Sequence, residues 1–143
     1  MKIKVMYHTR GGNTKKIAEA IAQAAGHTAE SVPPAYPDEN VKLVFLGAGI
    51  YAGKIDPKME EYIKTLDTGK VKNVALFGTA GGPEGGIQIM RQLLESKGIN
   101  VLSESFVCPG KFFMFFNRKH PGADDLKNAQ DFARKAIEAV EKV

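Results

Sequence analysis

Four short apolar runs, Ile3 to Tyr7, Val41 to Leu46, Val74 to Phe77 and Val101 to Val107, alternate along the chain with segments whose apolar residues recur at helical spacing. A fifth, weaker run lies near His27 to Val32. The helical stripes are Ile17, Ile21 and Ala24; then Met59, Tyr62, Ile63 and Leu66; then Ile89, Met90, Leu93 and Leu94; and last Leu126, Ala129, Ala133, Ile137 and Val140. The punctuation agrees with them. Gly26 and Gly98 fall where C-terminal caps belong, Asp56-Pro57 reads as an N-cap with proline at the first helical position, and Asp124-Asp125 lie in a first turn. Strands alternating with helices imply right-handed crossovers, so the expected fold is α/β: a doubly wound parallel sheet with helices on both faces. The segment Ser31 to Asn40 carries Pro33, Pro34 and Pro37, and is too short and Pro-rich for anything beyond a loop or single turn.

With 143 residues the chain is expected to form one domain, 1–143, around a single core. No apolar run approaches the ~20 residues of a membrane span. No long apolar signal core follows Met1, and the lone Cys108 cannot form an intramolecular disulfide, so a reducing cytoplasm is the expected location. The net charge of +4 comes from lysines interleaved with acids, without RNA-binding aromatic, zinc-finger or helix-turn-helix signatures. Nucleic acid is therefore not an expected partner; the charge balance suits an acidic protein instead.

The most specific stretch is YHTRGGNTKKIAEAIA, in which a polar, Gly-rich loop joins the first strand directly to a helix. Thr9, Gly11, Gly12, Asn13 and Thr14 supply hydroxyls and exposed N–H groups, beside the unsatisfied donors and positive dipole end of that helix. A phosphate suits such a loop. The pattern Thr-x-Gly-Gly-Asn-Thr resembles the phosphate loop of flavodoxins, roughly Ser/Thr-x-Thr-Gly-Asn-Thr; Thr9, Gly12, Asn13 and Thr14 match it and Gly11 departs.

Rival motifs fail on their spacing or their residues. FLGAGIYAG resembles the dinucleotide fingerprint, but its third glycine comes one residue late, the helix is delayed to Asp56-Pro57, and the run follows the third strand instead of the first. A response regulator needs acids after strand 1 and an Asp after strand 3, where this chain has His8, Thr9, Arg10 and Ala48, Gly49, Ile50. A small tyrosine phosphatase needs a cysteine in the first loop, and the chain's one cysteine is Cys108.

The resemblance to short-chain flavodoxins extends over essentially the whole length and implies the strand order 2-1-3-4-5, with FMN beyond the carboxyl ends of the strands. Three loops would converge there: Tyr7 to Asn13, Gly47 to Asp56 and Thr79 to Gly86. The cofactor-binding residues implied are Thr9, Arg10, Gly11, Gly12, Asn13 and Thr14 around the phosphate; Gly49, Tyr51, Ala52 and Gly53 in the loop after strand 3; and Thr79, Ala80, Gly81, Gly82 and Gly85 at the pyrimidine end of the ring. Tyr51 is a candidate to stack on the ring. The second flavin-facing loop lacks the aromatic found in many flavodoxins, leaving one ring face open or covered by the cluster Phe112, Phe113, Phe115 and Phe116. Cys108, His8 and His120 read as structural. Arg10, Lys15, Lys16 and Lys54 replace the acidic surround of a typical flavodoxin, which implies a less negative potential for the reduced flavin.

No catalytic residue or metal site is expected. The function implied is that of a monomeric electron carrier shuttling between redox partner proteins, a reductase and an acceptor. Two alternatives remain: an FMN-dependent NAD(P)H or quinone reductase that uses the open face, and a flavodoxin-fold module that binds a protein without flavin.

Overall fold

The structure, a computed structural model, describes residues 1–50, 53–80, 85–109 and 122–142. Among them the order is β1 Ile3–His8, α1 Asn13–Ala25, β2 Ala29–Ser31, β3 Val41–Ile50, α2 Pro57–Lys64, β4 Val71–Ala80, α3 Gly85–Glu95, β5 Asn100–Val101, β6 Phe106–Pro109 and α4 Ala123–Glu141. The strands form one sheet in the order β2-β1-β3-β4-β5, with β6 also paired to β4. Every pairing is parallel. The expected order 2-1-3-4-5 is therefore present, and the segment between β2 and β3 contains no helix.

Period two along the strands divides the core between the two sheet faces. Ile3, Val5, Tyr7, Leu43, Phe45, Ala75 and Phe77 pack with α1 and α4, while Met6, Val44, Leu46, Val74 and Leu76 pack with α2 and α3. Both faces are covered, which is why β3 and β4 read as nearly continuous apolar runs instead of an alternation.

Three boundaries differ from the sequence reading. β3 runs to Ile50 and β4 to Ala80, so Gly47, Ala48, Gly49, Thr79 and Ala80 belong to strands and not to loops. Glycine is a weak strand signal, and a lone threonine among glycines does not extend one, but the ladder pairs Gly47 with Phe77, Gly49 with Thr79 and Ile50 with Ala80, and pairing overrides propensity. Gly85, expected in the loop, opens α3. The fifth run is not one strand: it breaks over Leu102 to Ser105, where Ser103, Glu104 and Ser105 interrupt the apolar pattern. There Arg91 of α3 donates to the carbonyls of Leu102 at 3.0 Å and Ser103 at 3.5 Å.

The Pro-rich connection is held by a buried polar cluster. Asp38 is 3% exposed and accepts from Lys4 Nζ of β1 at 2.7 Å and from the Tyr62 hydroxyl of α2 at 2.6 Å. Burial first, and then the bond to Asp38, push the Tyr62 phenol well above its ordinary range.

Gly47 is required by close approach. A Cβ there would lie 2.1 Å from the Phe77 ring on the adjacent strand. Gly47→Ala is expected to destabilise the fold by about 1 to 3 kcal/mol, as overpacked cores do. Denaturant titration measures this, and pairing it with Phe77→Leu should recover part of the loss.

Candidate functional site

β1 ends at His8, level with Ala48 on β3, which in turn pairs with Gly78 on β4. The carboxyl ends of three adjacent parallel strands therefore form one edge. The first loop turns there with a local bond: the Gly12 N–H donates to Thr9 Oγ1 at 2.9 Å. Gly12 then takes a left-handed conformation, φ 89°, as the N-cap of α1, with no side-chain cap on the helix. Ordinary caps satisfy these N–H groups with a Ser, Thr, Asp or Asn oxygen. No side chain among the described residues caps them here, and a Cβ at Gly11 or Gly12 would meet nothing within 4 Å. The backbone thus offers uncapped donors under open space, which fits a phosphate group.

Two side-chain contacts knit this loop to the strands beside it. The Thr14 hydroxyl in the first turn of α1 lies 2.7 Å from that of Thr79 near the end of β4. Both residues are buried, at 0% and 5% exposure. Arg10 reaches the segment after β3, its Nε and Nη2 each 3.1 Å from Asp56 Oδ2.

Asp56 does more than the capping expected of it. Its Oδ1 accepts from the Lys58 N–H at 2.9 Å as the N-cap of α2, and His8 Nε2 lies 3.9 Å from the same oxygen. The Lys58 N–H bond, and then the Arg10 guanidinium and the charge of His8, hold its carboxyl below the ordinary 3.8 against the opposing effect of burial. Nδ1 of His8 is buried with no hydrogen-bond partner among the described residues. In the sequence His8 reads as structural and Asp56 as a cap alone. Their neighbourhood depends on contacts between β1 and the start of α2, which no local pattern encodes.

The expected site residues therefore fall into three groups. Thr9, Arg10, Gly11, Gly12, Asn13 and Thr14 form the loop and first turn of α1. Gly49, Thr79 and Ala80 sit on the ends of β3 and β4, Gly85 opens α3, and Gly53 is a turn residue with φ 76°. Tyr51, Ala52, Gly81 and Gly82 lie outside the described residues, as do Phe112, Phe113, Phe115, Phe116 and His120. Lys15, Lys16 and Lys54 are exposed, whereas Arg10 faces a carboxylate that offsets its charge. Among the described residues no cluster could hold a metal ion.

Cys108, paired in register with Thr79, is buried. Burial, and then the charge of Asp125, push its thiol up to about 12. It is expected to resist iodoacetamide in the native protein at about pH 8 and to react once denatured, as a mass spectrum would show. For Asp56 the sign follows from its lowered folded value: its stabilisation is complete above 3.8 and is lost as pH falls through that lower value. Asp56→Asn keeps an acceptor for the cap but loses the charge. Thermal melts should show the variant less stable at about pH 7, with the gap closing toward about pH 2.5.

The flavodoxin domain family model matches residues 4–119. An uncharacterized protein of Methanocaldococcus jannaschii is 32% identical over 150 residues, covering 96% of this chain and 99% of its own length. A flavodoxin from the domain Archaea superposes with a TM-score of 0.79 at 21% identity, covering 99% of each chain. A Lactobacillus acidophilus flavoprotein solved in complex with FMN superposes with a TM-score of 0.60 at 15% identity, covering 76% of this chain and 92% of that one. At such identities the structural likeness is one of fold. No helix among the described residues is long and apolar enough to cross a membrane. With the family model spanning residues 4–119 and a relative matched over nearly its whole length, the chain belongs to the flavodoxin family.

Proposed function

We propose that the chain binds FMN noncovalently and carries electrons between redox partner proteins. The observation that carries this reading is the start of α1, where Gly11 and Gly12 leave open space above the backbone and no side chain among the described residues caps the helix donors. Thr9, Gly11, Gly12, Asn13 and Thr14 would hold the phosphate, with the helix N-terminus favouring its negative charge. When bound, the flavin supplies one- and two-electron chemistry. The chain's part is to bind and orient it: the ends of β3 and β4, with the segments that follow them, would flank the ring system.

The bond from Arg10 to Asp56 fixes the first loop against the start of α2 and reduces the positive field otherwise expected at the site. Lys15, Lys16 and Lys54 remain as exposed cations near it. Together with the net charge of +4 they favour an acidic protein partner. A reducing cytoplasm and a monomer that docks transiently complete the reading, which a free, buried cysteine suits.

The purified protein, titrated with FMN, is expected to turn yellow and to quench the flavin's fluorescence. Stepwise anaerobic reduction should then proceed in two separable one-electron stages, and NAD(P)H alone should not be turned over. Steady oxidation of NAD(P)H without a reductase protein would replace the carrier with an FMN-dependent reductase. Failure to bind FMN would reject the flavin reading and leave a protein-binding module of this fold.

A further inference from the structure

The Thr14 and Thr79 hydroxyls, 65 residues apart in the chain, lie 2.7 Å from one another in a buried setting. Two hydroxyls so placed share one hydrogen bond, and either can be the donor. The bond uses one of their two protons. The second has no acceptor among the described residues, because neither side chain makes another hydrogen bond. A buried O–H without an acceptor is costly, so an incoming group able to accept it is favoured.

The position of each residue decides which proton an anion would take. Thr14 stands in the first turn of α1, beside the uncapped donors over Gly11 and Gly12. Thr79 is one residue from the end of β4 and is 5% exposed. Were an anion at the loop to accept from the buried Thr14 hydroxyl, Thr14 would in turn have to accept from Thr79. The chain of donation runs Thr79 Oγ1–H to Thr14 Oγ1–H to the anion, and each bond polarises the next.

We propose that Thr79 is a positioning residue for phosphate recognition: it fixes the Thr14 hydroxyl as a donor toward the ligand's phosphate and makes no contact with the ligand itself. This rests on the FMN reading for its ligand. It differs from the sequence expectation, which put Thr79 in a loop at the pyrimidine end of the ring. The hydroxyl of Thr79 lies instead against that of Thr14 at the start of α1, on a strand paired to β3 on one side and β6 on the other.

The test compares FMN with riboflavin, which has the same ring system but no phosphate. Thr79→Val removes the hydroxyl at nearly constant volume, and Thr79→Ser retains it. Apoprotein titrations followed by flavin fluorescence are expected to show FMN binding weakened about three- to tenfold in Thr79→Val, with riboflavin binding unchanged and with Thr79→Ser close to wild type. In a Thr14→Val background, adding Thr79→Val should cause no further loss, since the hydroxyl it would orient is gone. Equal weakening of both ligands, unchanged FMN binding in Thr79→Val, or additive losses in the double variant would each overturn the proposal. Should wild type bind no FMN, the flavin reading falls on its own. Inorganic phosphate then replaces FMN as the probe, with its stabilisation read from thermal melts: loss of that stabilisation in Thr79→Val supports Thr79 as a positioning residue, and its persistence, or its absence in wild type, overturns it.

Discussion

The ladder joining β1, β3 and β4 is the constraint on which everything functional depends. Hydrogen bonds between parallel strands fix register residue by residue, and a slip of one would turn every apolar side chain to the wrong face. With Tyr7 opposite Gly47 and Gly47 opposite Phe77, the three strands end close to one edge. The Phe77 ring lies over Gly47, so the same register that levels the strand ends also packs the core beneath them. Any side chain at Gly47 would trade one against the other.

Above that edge the adhesive changes from apolar to polar. Below it, Leu43, Phe45 and Phe77 bury area without direction. Above it, Thr9 bonds Gly12, Thr14 meets Thr79, and Arg10 reaches Asp56. Each is directional, and two of the three cross between elements distant in sequence. A loop whose backbone donors stay uncapped among the described residues is not ordered by burying them. Side-chain bonds to its neighbours order it instead, and Gly12 reverses the chain at a φ of 89° that other residues rarely adopt. The Asp38 cluster does similar work beside β1, tying a Pro-rich connection to Lys4 and Tyr62 without a helix.

Much of this was legible along the chain. The helical stripes of Ile17 and Ile21, of Met59 and Ile63, and of Ala129 and Ala133 are all buried, because period and burial have the same cause. The caps at Gly26 and Asp56 were readable too, since a left-handed turn and an N-terminal acceptor are local requirements. Strand ends were less so. Gly49 and Thr79 look like loop residues until the ladder pairs them, and Ser103 to Ser105 break a run that looked continuous from Val101 to Val107. Nothing near Asp38 in sequence marks it as buried, because its partners stand 34 and 24 residues away.

The sequence by itself determined the α/β class, the four helices and the loop where α1 begins, since periodicity, turn chemistry and a Gly-rich strand-to-helix junction act over a few neighbouring residues, whereas the strand order was implied only by the resemblance to flavodoxins. Tertiary structure alone decided that Thr79 faces Thr14, that Asp56 receives Arg10 beside His8, and that the fifth strand divides in two. Those outcomes depend on which distant backbones the ladder brings level. Register is a property of paired strands, and no single strand encodes it.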